Sequence, residues 1–166
     1  MNTLWAPWRM GYLQGDTNTP LGCIFCRAVE TDHDEDQLVL HRSEKAIIML
    51  NRYPYSNGHM MIVPVQHLAS LEDLDSETMK DITDMTQVAL RTLRTAYAPE
   101  GFNVGVNIGK AAGAGVPDHV HVHVLPRWQG DTNFMTSIAE TRVVPETLPI
   151  TLNRLRDIMS ETLHSR

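Results

Sequence analysis

Residues 119–128 read HVHVHVLPRW. His119, His121 and His123 alternate with Val120, Val122 and Val124 until Pro126 closes the run. Alternation with a β-branched residue is the period-2 signature of a half-buried strand. It predicts that the valines face a core and the histidines line the opposite side. Same-face neighbours lie about 6.7 Å apart along a strand, so His119 and His123 are separated by about 13 Å. That span is too long for all three to ligate one metal through bonds of about 2.0–2.1 Å, although two neighbours can share one. A solvated strand face normally mixes Lys, Glu, Thr and Arg. A row holding three of the chain's eight histidines points to chemistry instead.

Working outward, QLVLHR (37–42) and KAIIMLN (45–51) read as a hairpin turned at Ser43 and Glu44. RYPYSNG (52–58) is a loop by its Pro and Asn-Gly content. HMMIVP (59–64) is a third strand ended by Pro64. Met79, Ile82, Met85, Ala89 and Leu93 recur at spacings of three and four, which predicts an amphipathic helix over 76–96. FNVGVNI (102–108) is a fourth strand, and GKAAGAGVPD (109–118) is a Gly-rich link to the histidine strand. TLPITLNRLRDIMSETL (147–163) reads as a C-terminal helix. The order β-β-β-α-β-β-α predicts an α+β fold, a mainly antiparallel five-stranded sheet backed by a long helix and a C-terminal helix. No repeat or linker divides the chain, so 1–166 reads as a single domain: an N-terminal arm (1–22), a core (22–128) and a C-terminal extension with its helix (129–166).

A chain of 166 residues is long enough for one real core. The net charge of −6 argues against a nucleic-acid binder, and an anionic substrate would need a local positive field. No apolar run approaches the roughly 20 residues of a membrane span. The opening MNTLWAPWRMGYLQG has no continuous apolar stretch of the secretory kind, which makes the cytoplasm the default compartment. The two cysteines stand as GCIFC, Cys23 and Cys26. In a reducing compartment a C-x-x-C pair is a metal half-site or a redox pair before it is a structural disulfide. Its place after a Gly/Pro-rich segment, rather than between a strand and a helix of a βαβ unit, favours metal. Two more ligands are then needed.

HVHVHVLP matches the His-φ-His-φ-His-φ-φ motif of the histidine triad (HIT) family of nucleotidyl hydrolases and transferases, and LNRYPYSNGHMMIVPVQH resembles that family's second signature. The flanks LWAPWRMGYLQG, GCIFC and PRWQGDTNFM resemble its bacterial diadenosine tetraphosphate (AppppA) phosphorylase-like branch. The resemblance implies a HIT-like fold and catalysis through a covalent nucleotidyl-histidine. It implies that His121 is the nucleophile, that His123 stabilises charge on the phosphate or bridging oxygen, and that His59 buttresses the triad. It places Asn51 on the ribose, Leu50 and Met49 near the base, Asn107 on a phosphate, Trp128 on the nucleotide, and the amides around Gly113 and Gly115 on the phosphates. Many relatives carry Ser, Thr or Gln just before the triad, where this chain has Gly115, Val116 and Pro117. Lys110 is the residue of that link that could supply positive charge. The resemblance also implies a structural zinc on Cys23, Cys26, His67 and His119, and a homodimer.

The leading functional expectation is AppppA phosphorolysis to ADP and ATP, with inorganic phosphate as acceptor. A hydrolase of nucleoside phosphoramidates or polyphosphates, with water as acceptor, is the alternative. A nucleotide-binding sensor with little turnover is the alternative of a different class. A zinc hydrolase built on two triad histidines is disfavoured, because no third ligand accompanies an open metal position.

Overall fold

The computed structural model describes residues 22–131 and 146–164. The expected N-terminal arm and much of the expected C-terminal extension lie outside the described residues. Five strands form one sheet: β1 (Val39–Arg42), β2 (Ala46–Leu50), β3 (Met60–Pro64), β4 (Gly101–Val106) and β5 (Val122–Arg127). Their order is β1-β2-β3-β5-β4, and every pairing is antiparallel. Among the described residues three helices of seven residues or more accompany them, α1 (Ile24–Glu30), α2 (Ser76–Tyr97) and α3 (Leu148–His164).

α2 forms where the three-four periodicity predicts it. Asp75 caps its start by accepting the Thr78 N–H at 2.7 Å. Ala98 ends it in the left-handed region, and Pro99 cannot continue it. Its buried stripe includes Ile82, Met85, Ala89 and Leu93, laid on β2, β3 and β5 with α3 alongside. Ile48, Leu50, Ile62 and Val124 meet it from the sheet, and Val120 and Val122 join the same core as expected. Each such fully buried aliphatic side chain contributes roughly 1.5–3 kcal/mol.

The sheet's second face departs from a half-buried reading. Ile47, Met49, Met61 and Val63 point there and are covered by Phe25 and Ala28 of α1. The triad face is therefore buried as well, because α1, absent from the element order read above, lies over it. Regular pairing also starts later than the alternation suggests, at Val122 rather than His119. Residues 34–37, next to the expected first strand, form a helical turn, and Leu38 takes the left-handed conformation before β1 begins.

Candidate functional site

The triad sits where β5 enters the sheet. His119, His121 and His123 retain 0%, 4% and 9% of their surface, which rules out a solvated histidine face. In β5, His123 stands between Met61 of β3 and Gly105 of β4. The rings of His121 and His123 meet edge to face at 4.7 Å. His59, just before β3, is 1% exposed and joins them through His123.

The partners of these rings assign their protons. A carbonyl oxygen can only accept, so Nδ1 of His121, 2.9 Å from the His119 carbonyl, carries the hydrogen. Nε2 of His121 is left bare, the state a nucleophilic imidazole requires. Nε2 of His119 likewise donates to the Pro64 carbonyl at 2.9 Å, leaving its Nδ1 bare. Nδ1 of His59 accepts the Tyr55 N–H at 3.2 Å, so neutral His59 holds its hydrogen on Nε2. That hydrogen meets Nδ1 of His123 at 2.9 Å, which puts the His123 hydrogen on Nε2. The pair His121–His123 thus offers one bare nitrogen and one N–H donor.

Burial favours the neutral form of the three triad rings. It pushes His119 and His121 below the ordinary histidine range, the latter partly offset by its bond to the His119 carbonyl. His123 falls from 6.5 to about 4, first by burial and then by its proximity to His121.

A second cluster adjoins the triad. One ligand-capable atom from each of Cys23, Cys26, His67 and His119 lies within 4.8 Å of the others. Cys26 Sγ is 3.1 Å from Nδ1 of His67, and Cys23 Sγ is 3.5 Å from Nδ1 of His119. Two thiols and two imidazoles fit a closed tetrahedral metal site. The fit extends outward, because the Pro64 carbonyl fixes His119 in the tautomer that presents Nδ1 to the thiols. Burial, then the neighbouring Cys23, raise the Cys26 thiol to about 11. A bound cation reverses that preference by taking the thiolate.

The remaining predicted residues are placed as follows. Leu50 and Asn51 line a cavity of about 240 Å³ together with His59, Asn57, Glu146 and Thr151. Leu50 points to the helix side of the sheet. Asn51 Oδ1 accepts the Tyr53 N–H at 2.9 Å. Asn107 follows Val106, which pairs with Val122, so extending the register by one residue sets it opposite His121. Gly113 adopts a left-handed φ of 87° and Gly115 is exposed in the same link. Trp128 lies beyond Arg127 at the far end of β5 from His121, its N–H bound to Asp131 at 3.1 Å.

Three further residues bear on the site. Phe25 packs on His121 with ring centroids 4.7 Å apart. Tyr55 lies against both His59 and His123. Glu146 closes the cavity wall, held by Tyr97 Oη at 2.8 Å and by Arg154 at 2.7 Å. For Phe25 the available signal was its place inside C-I-F-C, where any metal site must fix its position.

Comparison with known proteins agrees with this geometry. The HIT domain family model matches residues 32–130. This chain belongs to the HIT family. Among HIT relatives, it is 39% identical over 155 residues to an AP-4-A phosphorylase of Mycobacterium tuberculosis, covering 89% of this chain and 79% of that protein. It is 32% identical over 107 residues to an adenosine 5′-monophosphoramidase of Schizosaccharomyces pombe, covering 64% and 75% of the two chains. The crystal structure of a Zn-bound histidine triad family protein from Mycobacterium smegmatis superposes with a TM-score of 0.69 at 25% identity, over 88% of this chain and 99% of that one.

Proposed function

We propose that this chain is a HIT-family enzyme that transfers a nucleotidyl group from a dinucleoside polyphosphate, AppppA being the reference substrate, to inorganic phosphate. The observation that carries the reading is the pairing of a bare Nε2 on buried, neutral His121 with an Nε2–H on His123. Nε2 of His121 attacks the α-phosphorus and forms a P–N bond. The bridging P–O bond breaks, and its electron pair leaves on the oxygen of ATP. His123 donates a hydrogen bond to the oxygen on which charge builds. The His119 carbonyl, accepting Nδ1–H, steadies the positive charge that the adenylylated imidazole acquires. An oxygen of inorganic phosphate then attacks the adenylate, the P–N bond breaks, ADP leaves and His121 is restored.

The phosphorylase relative supports phosphate as the acceptor. The monophosphoramidase relative supports the second reading, in which water takes the adenylate. Asn51 and Leu50 at the cavity beside His59 are assigned to the nucleoside, and Asn107, by its register opposite His121, to the phosphates with the Gly113 and Gly115 amides, the last two from the family resemblance. Trp128 is assigned to the nucleotide from the resemblance of its flanking segment. The metal of the Cys23–Cys26–His67–His119 cluster is assigned as zinc, supported by its donor set and by the Zn-bound relative. The four residues would hold it in a closed set, which would give it a structural role. A homodimer and a cytoplasmic location complete the proposal; among the described residues no helix is long and apolar enough to cross a membrane.

Product analysis tests the reaction. With AppppA and phosphate the products are ADP and ATP, at a rate that rises with phosphate and saturates. AMP and ATP at a phosphate-independent rate replace this reading with the hydrolase. Acid quench traps adenylate on the wild type and none on His121→Ala; equal labelling of both removes His121 from its role.

A further inference from the structure

The metal-ligating cluster and the nucleophile are joined by one side chain. Phe25 stands between Cys23 and Cys26, is 1% exposed, and has its ring 4.7 Å from that of His121 and 5.4 Å from that of His119. We propose that Phe25 is a positioning residue for His121, and that the metal centre, by fastening the N-terminal end of α1, holds the Phe25 ring against the nucleophile. The proposal rests on the reading of His121 as nucleophile.

Helix α1 has two fastenings. At its C-terminal end the guanidinium of Arg42 donates to the carbonyls of Ala28, Val29 and Thr31 at 2.7, 3.0 and 2.7 Å, and to Asp34 at 2.6 Å. At its N-terminal end stand Cys23 and Cys26, facing His67 and His119. Without a bound metal, that end is held among the described residues by thiol–imidazole contacts of 3.1–3.7 Å and by the packing of Phe25 on the sheet. Arg42 still anchors the other, so loss of metal removes the polar tie on either side of Phe25 and loosens that turn while the helix stays attached.

His119 is a second link between the cluster and His121, through the carbonyl that accepts His121 Nδ1–H, but that link has anchors of its own. The His119 carbonyl that orients His121 is pinned on both sides, by His119 Nε2 on the Pro64 carbonyl at 2.9 Å and by the Val120 N–H on the Leu68 carbonyl at 2.7 Å. One hydrogen bond leaves the imidazole free to swing about that axis. The ring surfaces of Phe25 and His123 close the swing from two sides, each with centroids at 4.7 Å. A nucleophile displaced by about 1 Å loses on the order of 100-fold in rate. Phe25 therefore converts occupancy of the metal site into the aim of Nε2.

The test uses the zinc-loaded full chain, zinc-depleted wild type, Phe25→Ala and Phe25→Leu. It reads single-turnover formation of the adenylyl-enzyme from AppppA and the imidazole nitrogen NMR signals of His121. Zinc removal from wild type and Phe25→Ala with zinc bound each slow adenylyl transfer about 10–100-fold and move the His121 signals alike. Removing zinc from Phe25→Ala adds little, since both act on one contact. Phe25→Leu, which keeps most of the bulk, recovers much of the rate. If Phe25→Ala does not fold, Phe25→Leu and zinc removal carry the test. Unmoved His121 signals on zinc removal, losses that multiply, or a chain that takes up no zinc overturn the proposal. Adduct formation in His121→Ala would instead overturn the functional reading, and the His121 signals would still report whether Phe25 positions the ring.

Discussion

His59 and His123 share one hydrogen across 2.9 Å, and its direction is set by the main chain of Tyr55. The Tyr55 N–H occupies Nδ1 of His59, so Nε2 of His59 must donate and Nδ1 of His123 must accept. The donor face of His123 is thus specified from a loop on another strand. Removing His59 leaves His123 free to choose either tautomer. His59→Phe therefore lowers the rate of adenylyl transfer about 10–100-fold, the usual cost of losing an orienting partner. Adduct still forms, because His121 keeps its own bond to the His119 carbonyl. Rapid-quench kinetics decide it: an unchanged rate denies His59 an orienting role, and complete loss of adduct makes it more than a buttress.

Acid should destabilise the fold through His123. Its value is about 4 in the folded chain against 6.5 unperturbed. Above pH 6.5 both folded and unfolded forms are neutral at this residue, and its contribution is complete. As pH falls from 6.5 toward 4, the unfolded chain takes a proton that the folded one refuses, and stability declines across that window. Urea denaturation of metal-free protein between pH 7 and 4.5 measures the decline, free of any acid release of metal. The slope is shallower in His123→Asn. Parallel slopes in the two proteins would show that His123 is not depressed by burial.

Metal should set the thermal stability. Cys23→Ser breaks a closed four-ligand set that ties α1 to His67 and to His119. Several kcal/mol of binding free energy is lost, and at about 2–4 °C per kcal/mol the midpoint falls by roughly 10 °C or more. Elemental analysis finds about one zinc per wild-type chain, the stoichiometry of a closed site. Calorimetry with and without chelator reads the stability, and a wild type whose midpoint ignores the chelator excludes a structural metal.

The sheet and long helix were legible because each carries its own period. HVHVHV alternates at two, and Met79 to Leu93 recurs at three and four. Helix α1 has no such signature. It has seven residues, starts at a cysteine with no side-chain cap, and is held by Arg42 and by burial of Phe25 and Ala28 on the sheet. Those contacts are long-range, and local sequence does not encode them. The same omission made the triad face look half-buried. Leu50 and Asn51 show a related limit: neighbours in sequence, they leave β2 toward different surroundings, Leu50 to the helix-side core and Asn51 to the Tyr53 N–H. Glu146 was out of reach because it precedes α3 without a pattern and gains meaning only from Tyr97 and Arg154.

Gly58 should tolerate no side chain. It precedes His59 with a φ of 74°, where an L residue pays about 1–2 kcal/mol. A Cβ at this position would stand 2.9 Å from Cδ2 of Leu93 and 3.0 Å from the Tyr97 ring. Leu93 is fully buried in the core and must shift to admit the methyl group, so overpacking adds about 1–3 kcal/mol. Gly58→Ala therefore destabilises the chain by roughly 2–5 kcal/mol in urea. The strain falls on the loop whose hydrogen bonds place His59, from His59 N–H to the Ser56 carbonyl and from Asn51 N–H to the His59 carbonyl. Adenylyl transfer slows with it. Gly105→Ala is the control for stability: it lies in a strand with nothing within 4 Å of its Cβ position, and its cost in urea stays within about 0.5 kcal/mol. Equal stability of Gly58→Ala and wild type would mean that the 57–59 turn relaxes freely and does not fix His59.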